Sequence, residues 1–303
     1  MSTVDLVIPS YHRPHDLEVA LTYAANQTVP FQHIIVVARS DDEATQAVAR
    51  AHGLSPVLVS SPGVLAAMAA GLAHATADIV AFTDDDARLS PTHCERIGEI
   101  FACGTTIAGV GGPDALFDGD TPRPMSPTKR VGQLTFWGRL VGNHHRGREV
   151  ACAVAALKGV NAAYRRELLR LPAGLRGDGA QPHFEVAIGT ELRARGYQLI
   201  YSTALVVAHH PAKRLGDDDR IAPTASAFFD SAYNLERSIP RRLMTRRLVY
   251  VTVVGDRNVP GIIRLLVATL QGDWSLWRRA RPSWLGTFRA WRERNQPLRF
   301  LGE

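Results

Sequence analysis

Two hydrophobic rhythms alternate over the first 86 residues. A short unbroken apolar run at 4–8 stops at Pro9 and Ser10. Residues 14–26 follow, with Leu17, Ala20, Leu21 and Ala24 at helical spacing. The alternation repeats: 33–38 (HIIVVA) reads as a buried strand, 42–52 as a helix and 56–59 as a short strand. Then 64–75 reads as a helix and 78–83 (DIVAFT) as a fourth strand. Short strands alternating with helices of this length predict a mostly parallel sheet covered on both faces. Ligands of such a sheet gather beyond the carboxyl ends of its strands.

Regularity fades over 109–148, where Gly, Pro and Arg accumulate. Pattern returns at 150–157, at 161–169, in a helix over 186–195 that Gly196 terminates, and in strand-like sequence at 197–208. Residues 213–224 are polar, with Asp217, Asp218 and Asp219 in succession, and read as a mobile surface loop. The helical spacing of 228–236, 241–254 and 260–271 predicts an all-α tail.

Of the 303 residues, 46% are hydrophobic and 21% charged, which excludes disorder and fibrous repeats and suits a chain with a substantial core. The formal charge of +6 is unevenly placed. Residues 1–235 carry 21 Lys/Arg against 24 Asp/Glu, whereas 236–303 carry 14 Arg against 5 acids. Cys94, Cys103 and Cys152 lack metal-ligand spacing and are expected as free thiols in a reducing compartment. The opening MSTVDLVIPS lacks a basic region before a long apolar run, so no signal peptide is expected, and no stretch of 18 apolar residues occurs. The expected location is cytoplasmic, with peripheral attachment at the inner face of the membrane as one reading of the tail.

The stretch FTDDDA places Asp84, Asp85 and Asp86 where the fourth strand leaves the sheet. In extended backbone, residues two apart point the same way, so Asp84 and Asp86 converge while Asp85 faces elsewhere. Carboxylates at close range repel until a divalent cation or a cationic partner neutralises them. Hard oxygen ligation suits Mg²⁺ or Mn²⁺. Neither GxGxxG nor GxxxxGK(S/T) occurs, and SYHRP follows the first strand; a nicotinamide dehydrogenase or a P-loop NTPase fits poorly.

Five stretches, in order over nearly the first 215 residues, resemble the inverting glycosyltransferases of family 2. They are VDLVIPSYHRP, HIIVVARSDDEAT, FTDDDA, GVNAAYRRELL and HFEVAIGTELRARGYQLIYSTALVVAHHP. The resemblance implies an α/β GT-A fold, with a mostly parallel central sheet flanked by helices and here a C-terminal helical extension. It implies transfer of a sugar from a nucleoside-diphosphate sugar to an acceptor hydroxyl, with Mg²⁺ or Mn²⁺ on the diphosphate. The acceptor could be a saccharide, a lipid-linked molecule or a small metabolite.

Carried over residue by residue, the resemblance sets Pro9 and Tyr11 against the nucleoside and Arg13 near its base or phosphates. Asp84 approaches the ribose or sugar, with Asp85 beside it in the donor site. Asp86 holds the cation, and His209 completes the metal site, with His210 as the adjacent alternative. Gly159 and Asn161 form the acceptor-side floor, which His183 and Phe184 adjoin. Glu185 is the general base, with Glu191 as the fallback. Lys213 or Arg214 meets the phosphates from a loop that folds over the donor. Two positions depart from the family pattern. Ala38 and Arg39 stand where the second strand normally ends in two Asp residues, so Asp41 or Asp42 takes over the nucleobase. Phe184-Glu185 stands in place of Glu-Asp, which keeps a carboxylate on a longer side chain.

These readings divide the chain into a catalytic domain at 1–215 and an extension at 216–303 that begins with the donor loop. Within the catalytic domain, 1–108 form the nucleotide-sugar half and 109–215 the acceptor half. In the tail, Trp284, Phe288 and Trp291 stand at i, i+4 and i+7 among arginines. Basic residues beside aromatic ones suit either an anionic membrane surface or packing against the core or a second copy; no nucleic acid is expected. Two other functions remain: a nucleotidyltransferase, and a nucleotide-sugar-binding scaffold without catalysis. The first needs a Gly-rich basic loop after the first strand, which SYHRPHD is not.

Overall fold

The computed structural model describes residues 2–148, 150–212, 223–256 and 258–301. Lys213, Arg214 and the Asp217–219 run therefore lie outside the described residues.

The seven elements expected from the opening alternation are all present. They are β1 (Val4–Ser10), α1 (Pro14–Ala25), β2 (His33–Arg39), α2 (Glu43–Ala51), β3 (Val57–Val59), α3 (Val64–His74) and β4 (Ile79–Thr83). Pro14 opens α1, where a missing N–H costs nothing. Asp42 caps α2 by accepting from the Thr45 backbone N–H. Next come β5 (Ala87–Leu89), α4 (His93–Ala102), β6 (Ile107–Gly111), β7 (Asp114–Asp118) and β8 (Thr121–Pro122). The stretch at 109–148 is thus not devoid of strands. They are short, and two-residue pieces such as β8, β9 (Gln133–Leu134) and β10 (Leu140–Val141) leave no periodic signal.

Beyond them lie β11 (Ala151–Val154), β12 (Asn161–Arg165), β13 (Pro172–Ala173) and α5 (Phe184–Ala194). The strand-like sequence at 197–208 forms two strands, β14 (Gln198–Ser202) and β15 (Val207–His209), which belong to different sheets. The last elements are α6 (Ala225–Ser238), α7 (Arg241–Val253), α8 (Ile262–Leu270), α9 (Ser275–Arg292) and β16 (Arg299–Phe300).

By packing, the chain forms two compact units. The first comprises Met1–Gln133, Gly142–Leu169 and Glu191–Ala212; the second comprises Leu134–Val141, Arg170–Thr190 and Lys213–Glu303. This division follows contacts, whereas the boundary at 215 follows motifs.

The first unit is built on an eight-stranded sheet in the order β11-β14-β6-β12-β4-β1-β2-β3. β1 runs parallel to β2 and β4, and β2 runs parallel to β3, while β12 lies antiparallel between β4 and β6. The chain moves from β1 to β2 and β3 on one side, then crosses to β4 on the other. The carboxyl ends of β1 and β4 therefore flank the point where strand order reverses, the usual ligand crevice of such sheets. Leu6, Ile8, Val36 and Ile79 from the sheet are buried with Leu17, Leu21, Ile97 and Phe101 from the helices. Each such side chain contributes about 1.5–3 kcal/mol by leaving water. A smaller sheet, β5-β15-β7-β8, stands beside the large one in this unit.

The second unit is mainly α6–α9, with β13 paired to β16. α6 and α9 approach closely because Gly286 has no side chain; a Cβ there would lie 2.3 Å from the carbonyl oxygen of Phe229. The fully buried Arg247 donates to Glu236 Oε1 at 2.5 Å, to Asp256 Oδ2 at 3.0 Å and to the Gly138 carbonyl at 3.1 Å. A charge so placed is tolerated only because both carboxylates are in contact with it.

Candidate active site

The chain leaves β4 at Thr83 and turns through Asp84–Asp86 into β5, passing from the large sheet to the small one. β5 pairs with β15, with Ala87 opposite His209, and β15 pairs with β7, with His209 opposite Leu116. Three segments far apart in sequence are thereby brought to one place. Ligand atoms of Asp84, Asp86 and His209 all lie within 4.8 Å of one another. Asp84 thus joins the cation group, beyond the ribose or sugar contact that the resemblance implies for it.

The neighbouring groups orient this cluster. Asp86 Oδ2 accepts from the Ala212 backbone N–H at 2.9 Å. Its Oδ1 faces His209 Nε2 at 3.3 Å, yet is buried without a hydrogen-bond partner. On the other side of the imidazole, His209 Nδ1 meets Asp114 Oδ2 at 3.4 Å. Asp114 is fully buried and also paired with Lys158. With Nδ1 turned to Asp114, Nε2 faces the acidic pair, an arrangement that fixes ring and tautomer in metal-ligating histidines.

The charges agree with this geometry. Burial opposes charge on His209, but hydrogen bonding to Asp114 and Asp86 prevails and raises its pKa to about 9. Burial likewise works against ionised Asp86 and Asp114. Contacts with His209, together with Ala212 and Arg13 for Asp86 and Lys158 for Asp114, hold both carboxyls below their usual range. Positive charge is favoured where the three side chains meet. Two carboxylates, one imidazole and an unmatched buried oxygen fit Mg²⁺ or Mn²⁺, with positions left for water or phosphate oxygens.

Asp85 points elsewhere. Its Oδ2 accepts from Ser10 Oγ at 2.8 Å and its Oδ1 from Arg13 at 3.0 Å, and it is buried. Burial pushes its carboxyl up to about 7 despite Arg13 and Ser10. Asp85 therefore ties the turn after β4 to the turn after β1. That second turn is held by Asp42 as well, which accepts from the His12 backbone N–H at 2.5 Å, with His12 at φ 54°. Burial opposes ionised Asp42, but the Thr45 and His12 hydrogen bonds prevail and lower its pKa. Asp42 is so engaged, whereas Asp41 is exposed and lies 3.5 Å from Arg39. Arg39 lies over the Tyr11 ring at 5.3 Å, and Tyr11 is 41% exposed at the end of β1. Pro9 is half-buried within β1, paired with Val37.

Gly159 occupies the turn between Lys158 and Asn161. Asn161 is buried, and its amide donates to the carbonyls of Pro113 and Leu205, the residues leading into β7 and β15. Gly112 permits this crossing, since a Cβ there would lie 2.2 Å from the Leu205 carbonyl oxygen. Asn161 thus supports Asp114 and His209 through the backbone. His210 faces away, stacked on Phe117 at 4.8 Å and bonded to the Gly119 carbonyl.

Glu185 stands in the first turn of α5, in the second unit, directly after buried Phe184. His183 precedes them at φ 72°, with Nε2 3.1 Å from Ser231 Oγ. Burial first, and Arg247 second, lower its pKa to about 4. Glu191 pairs with Arg195 one turn on, with its side chain only 11% exposed. Lys213 and Arg214 lie outside the described residues. Asp114 and Lys158 were not singled out from the sequence. Asp114 sits in the stretch without periodicity, and only the acidic residue after GGP marked it.

None of the curated proteins matches this chain. Among solved structures, it is similar to GalNAc-T7 crystallised with UDP, GalNAc and Mn²⁺, at a TM-score of 0.59 and 14% identity. That match covers 78% of this chain and 48% of the other, so this chain spans about half the length of that protein. It is also similar to a mannosyltransferase of Pyrobaculum calidifontis in complex with GDP-Man and Mn²⁺. There the TM-score is 0.56 and the identity 16%, over 97% of this chain and 87% of the other. At these identities the likeness is one of fold, and the fold is GT-A. The model described as glycosyl transferase family 2 matches residues 5–171, more than half of the sequence, and by that match the chain belongs to family 2 of the glycosyltransferases.

Proposed function

We propose that this protein transfers a sugar, with inversion, from a nucleoside-diphosphate sugar to an acceptor hydroxyl, and that residues 1–215 carry the reaction. The observation that carries the proposal is the convergence of Asp84, Asp86 and His209 beyond the carboxyl end of β4. Mn²⁺ accompanies a nucleotide or nucleotide sugar in both structural neighbours. Asp86 and His209, with Asp84, would hold Mg²⁺ or Mn²⁺. Such an ion offsets the negative charge that grows on a departing diphosphate.

The remaining work falls to the chain's own side chains. Pro9, Tyr11 and Asp41 form the nucleoside side of the site, and the Tyr11 ring with Arg39 over it gives a flat surface for a base. Arg13, held by Asp85, faces the donor phosphates. Gly159 and Asn161 are assigned to the acceptor side, and His183 and Phe184 are the residues that lead into Glu185 at the start of α5. Glu185 takes the proton of the acceptor hydroxyl as its oxygen bonds to the anomeric carbon. The bond from that carbon to the diphosphate breaks with its electron pair going to the leaving group. One displacement from the opposite face inverts the configuration.

A panel of nucleotide sugars, assayed for binding and transfer with and without Mn²⁺, tests this reading. Asp86→Ala is expected to abolish metal-dependent donor binding. Glu185→Gln is expected to bind donor normally and to lose transfer by roughly 100-fold or more. Absence of donor binding under all conditions, or equal nucleotide affinity in Asp86→Ala, overturns the metal site. Full transfer by Glu185→Gln removes Glu185 from the mechanism.

A further inference from the structure

Helix α8 reads IIRLLVATL, and only Leu265 and Ala268 are buried within the second unit. Ile262, Ile263, Leu266, Val267 and Leu270 are exposed, Leu266 by 58% and Leu270 by 88%. A surface helix of a soluble domain normally turns polar side chains outward, whereas on α8 five of the exposed side chains are apolar and only Arg264 is charged. Contiguous apolar surface of this kind marks a contact site. The neighbouring helix continues it, with Trp277, Leu285 and Phe288 of α9 exposed and Trp274 just before it. Between α7, α8 and α9 opens a cavity of about 530 Å³ lined chiefly by Leu248, Val251, Leu265, Trp284 and Phe288, with Arg281 beside them.

The charge of this unit indicates what covers the face. Four carboxylates are described between residues 236 and 301. Glu236 and Asp256 are spent on the buried Arg247. Glu293 accepts from Tyr233 and Arg289, and Asp273 accepts from the Ser275 N–H at the start of α9. Arg264, Arg278 and Arg281 are exposed on α8 and α9 with no carboxylate in salt-bridge reach among the described residues. The face is therefore apolar and ringed by positive charge. A second copy set against it would bring arginine to arginine, which costs free energy, whereas anionic headgroups complement the ring. Trp277 Nε1 donates to Thr269 Oγ1 and Trp284 Nε1 to the Pro260 carbonyl. Both indoles can enter hydrocarbon without losing a hydrogen bond.

We infer that the α8–α9 face docks on the surface of an anionic phospholipid bilayer, with a lipid hydrocarbon chain entering the cavity between α7, α8 and α9. α8 lies in the interface rather than across it, since no described helix is long and apolar enough to cross a membrane. This attachment goes beyond the transfer reaction and does not depend on it.

Flotation of the full chain with vesicles tests the inference. The protein is expected to float with vesicles of phosphatidylglycerol and phosphatidylcholine, and to remain behind with phosphatidylcholine alone. The double variant Leu266→Asn, Leu270→Asn changes only exposed positions. It is expected to lower partitioning by roughly 100-fold, the value of two apolar side chains leaving hydrocarbon. Arg264→Gln with Arg281→Gln is expected to lower it roughly 30-fold, at about 1 kcal/mol per charge. Sedimentation without lipid is expected to give a monomer. Failure to float with anionic vesicles, unchanged flotation of the leucine variant, or a dimer that this variant dissociates would overturn the proposal.

Discussion

Asp114 and Asp86 hold the His209 imidazole from its two sides, and the first of these contacts sets what the second can do. A carboxylate on Nδ1 fixes the ring orientation and raises its basicity as a ligand, and loss of such a partner typically costs 10–100-fold in metal affinity. Asp114→Asn is expected to weaken Mn²⁺ binding by roughly that factor in calorimetric titration, with the circular dichroism spectrum unchanged. A second buried histidine reports on stability instead. His93, enclosed in α4, has its pKa lowered by burial to about 4. It is neutral in the fold, while the unfolded chain takes up a proton near pH 6.5. The stability it contributes is complete above pH 6.5, is lost as the pH falls toward 4 and changes no further below that. Urea unfolding is expected to show a loss of about 3 kcal/mol from His93 across this window, and His93→Leu is expected to remove that share while the fall due to His183 stays. At this scale the sequence marked Asp84, Asp86 and His209 but not Asp114. Nothing local distinguishes an aspartate that is buried and paired with Lys158 from one in a loop.

Short strands and close helix contacts carry the architecture at the scale of elements. The opening alternation is legible because each strand of the parallel half is buried on both faces and reads as an unbroken apolar run. β5, β7 and β15 have three to five residues each, and β15 pairs with β5 and β7 across about 90 residues or more, as His209 and Asp114 meet. Their pairing therefore left no mark on hydrophobic periodicity, although it assembles the metal group. The meeting of α6 and α9 is of another kind. Gly286→Ala would set a Cβ 2.3 Å from the Phe229 carbonyl oxygen, and backbone cannot move aside as a flexible side chain can. We expect the substitution to lower stability by about 1–3 kcal/mol, as other overpacked contacts do, read from the urea midpoint.

Across the whole molecule, the mildly acidic body and the basic tail correspond to two chemistries. Acidic residues of 1–235 supply the cation group, while those of the tail are largely engaged with Arg247, Tyr233 and Arg289, leaving a positive apolar face. Binding to the folded state alone stabilises it, so Mn²⁺ at a hundredfold excess over its Kd is expected to add about 2.7 kcal/mol. A rise in Tm with Mn²⁺, absent from Asp86→Ala, checks this. The sequence by itself determined the family, the alternating half of the sheet, the acidic turn after β4 and the separation of charge. Each of these rests on contiguous residues whose spacing or composition is visible without a partner. Tertiary structure alone decided that Asp85 and Asp42 serve the turn after β1, that Asp114 backs His209 while His210 turns away, and that α8 leaves its apolar side exposed. Burial and hydrogen bonding between distant segments set these outcomes, and neither quantity is encoded at any single position.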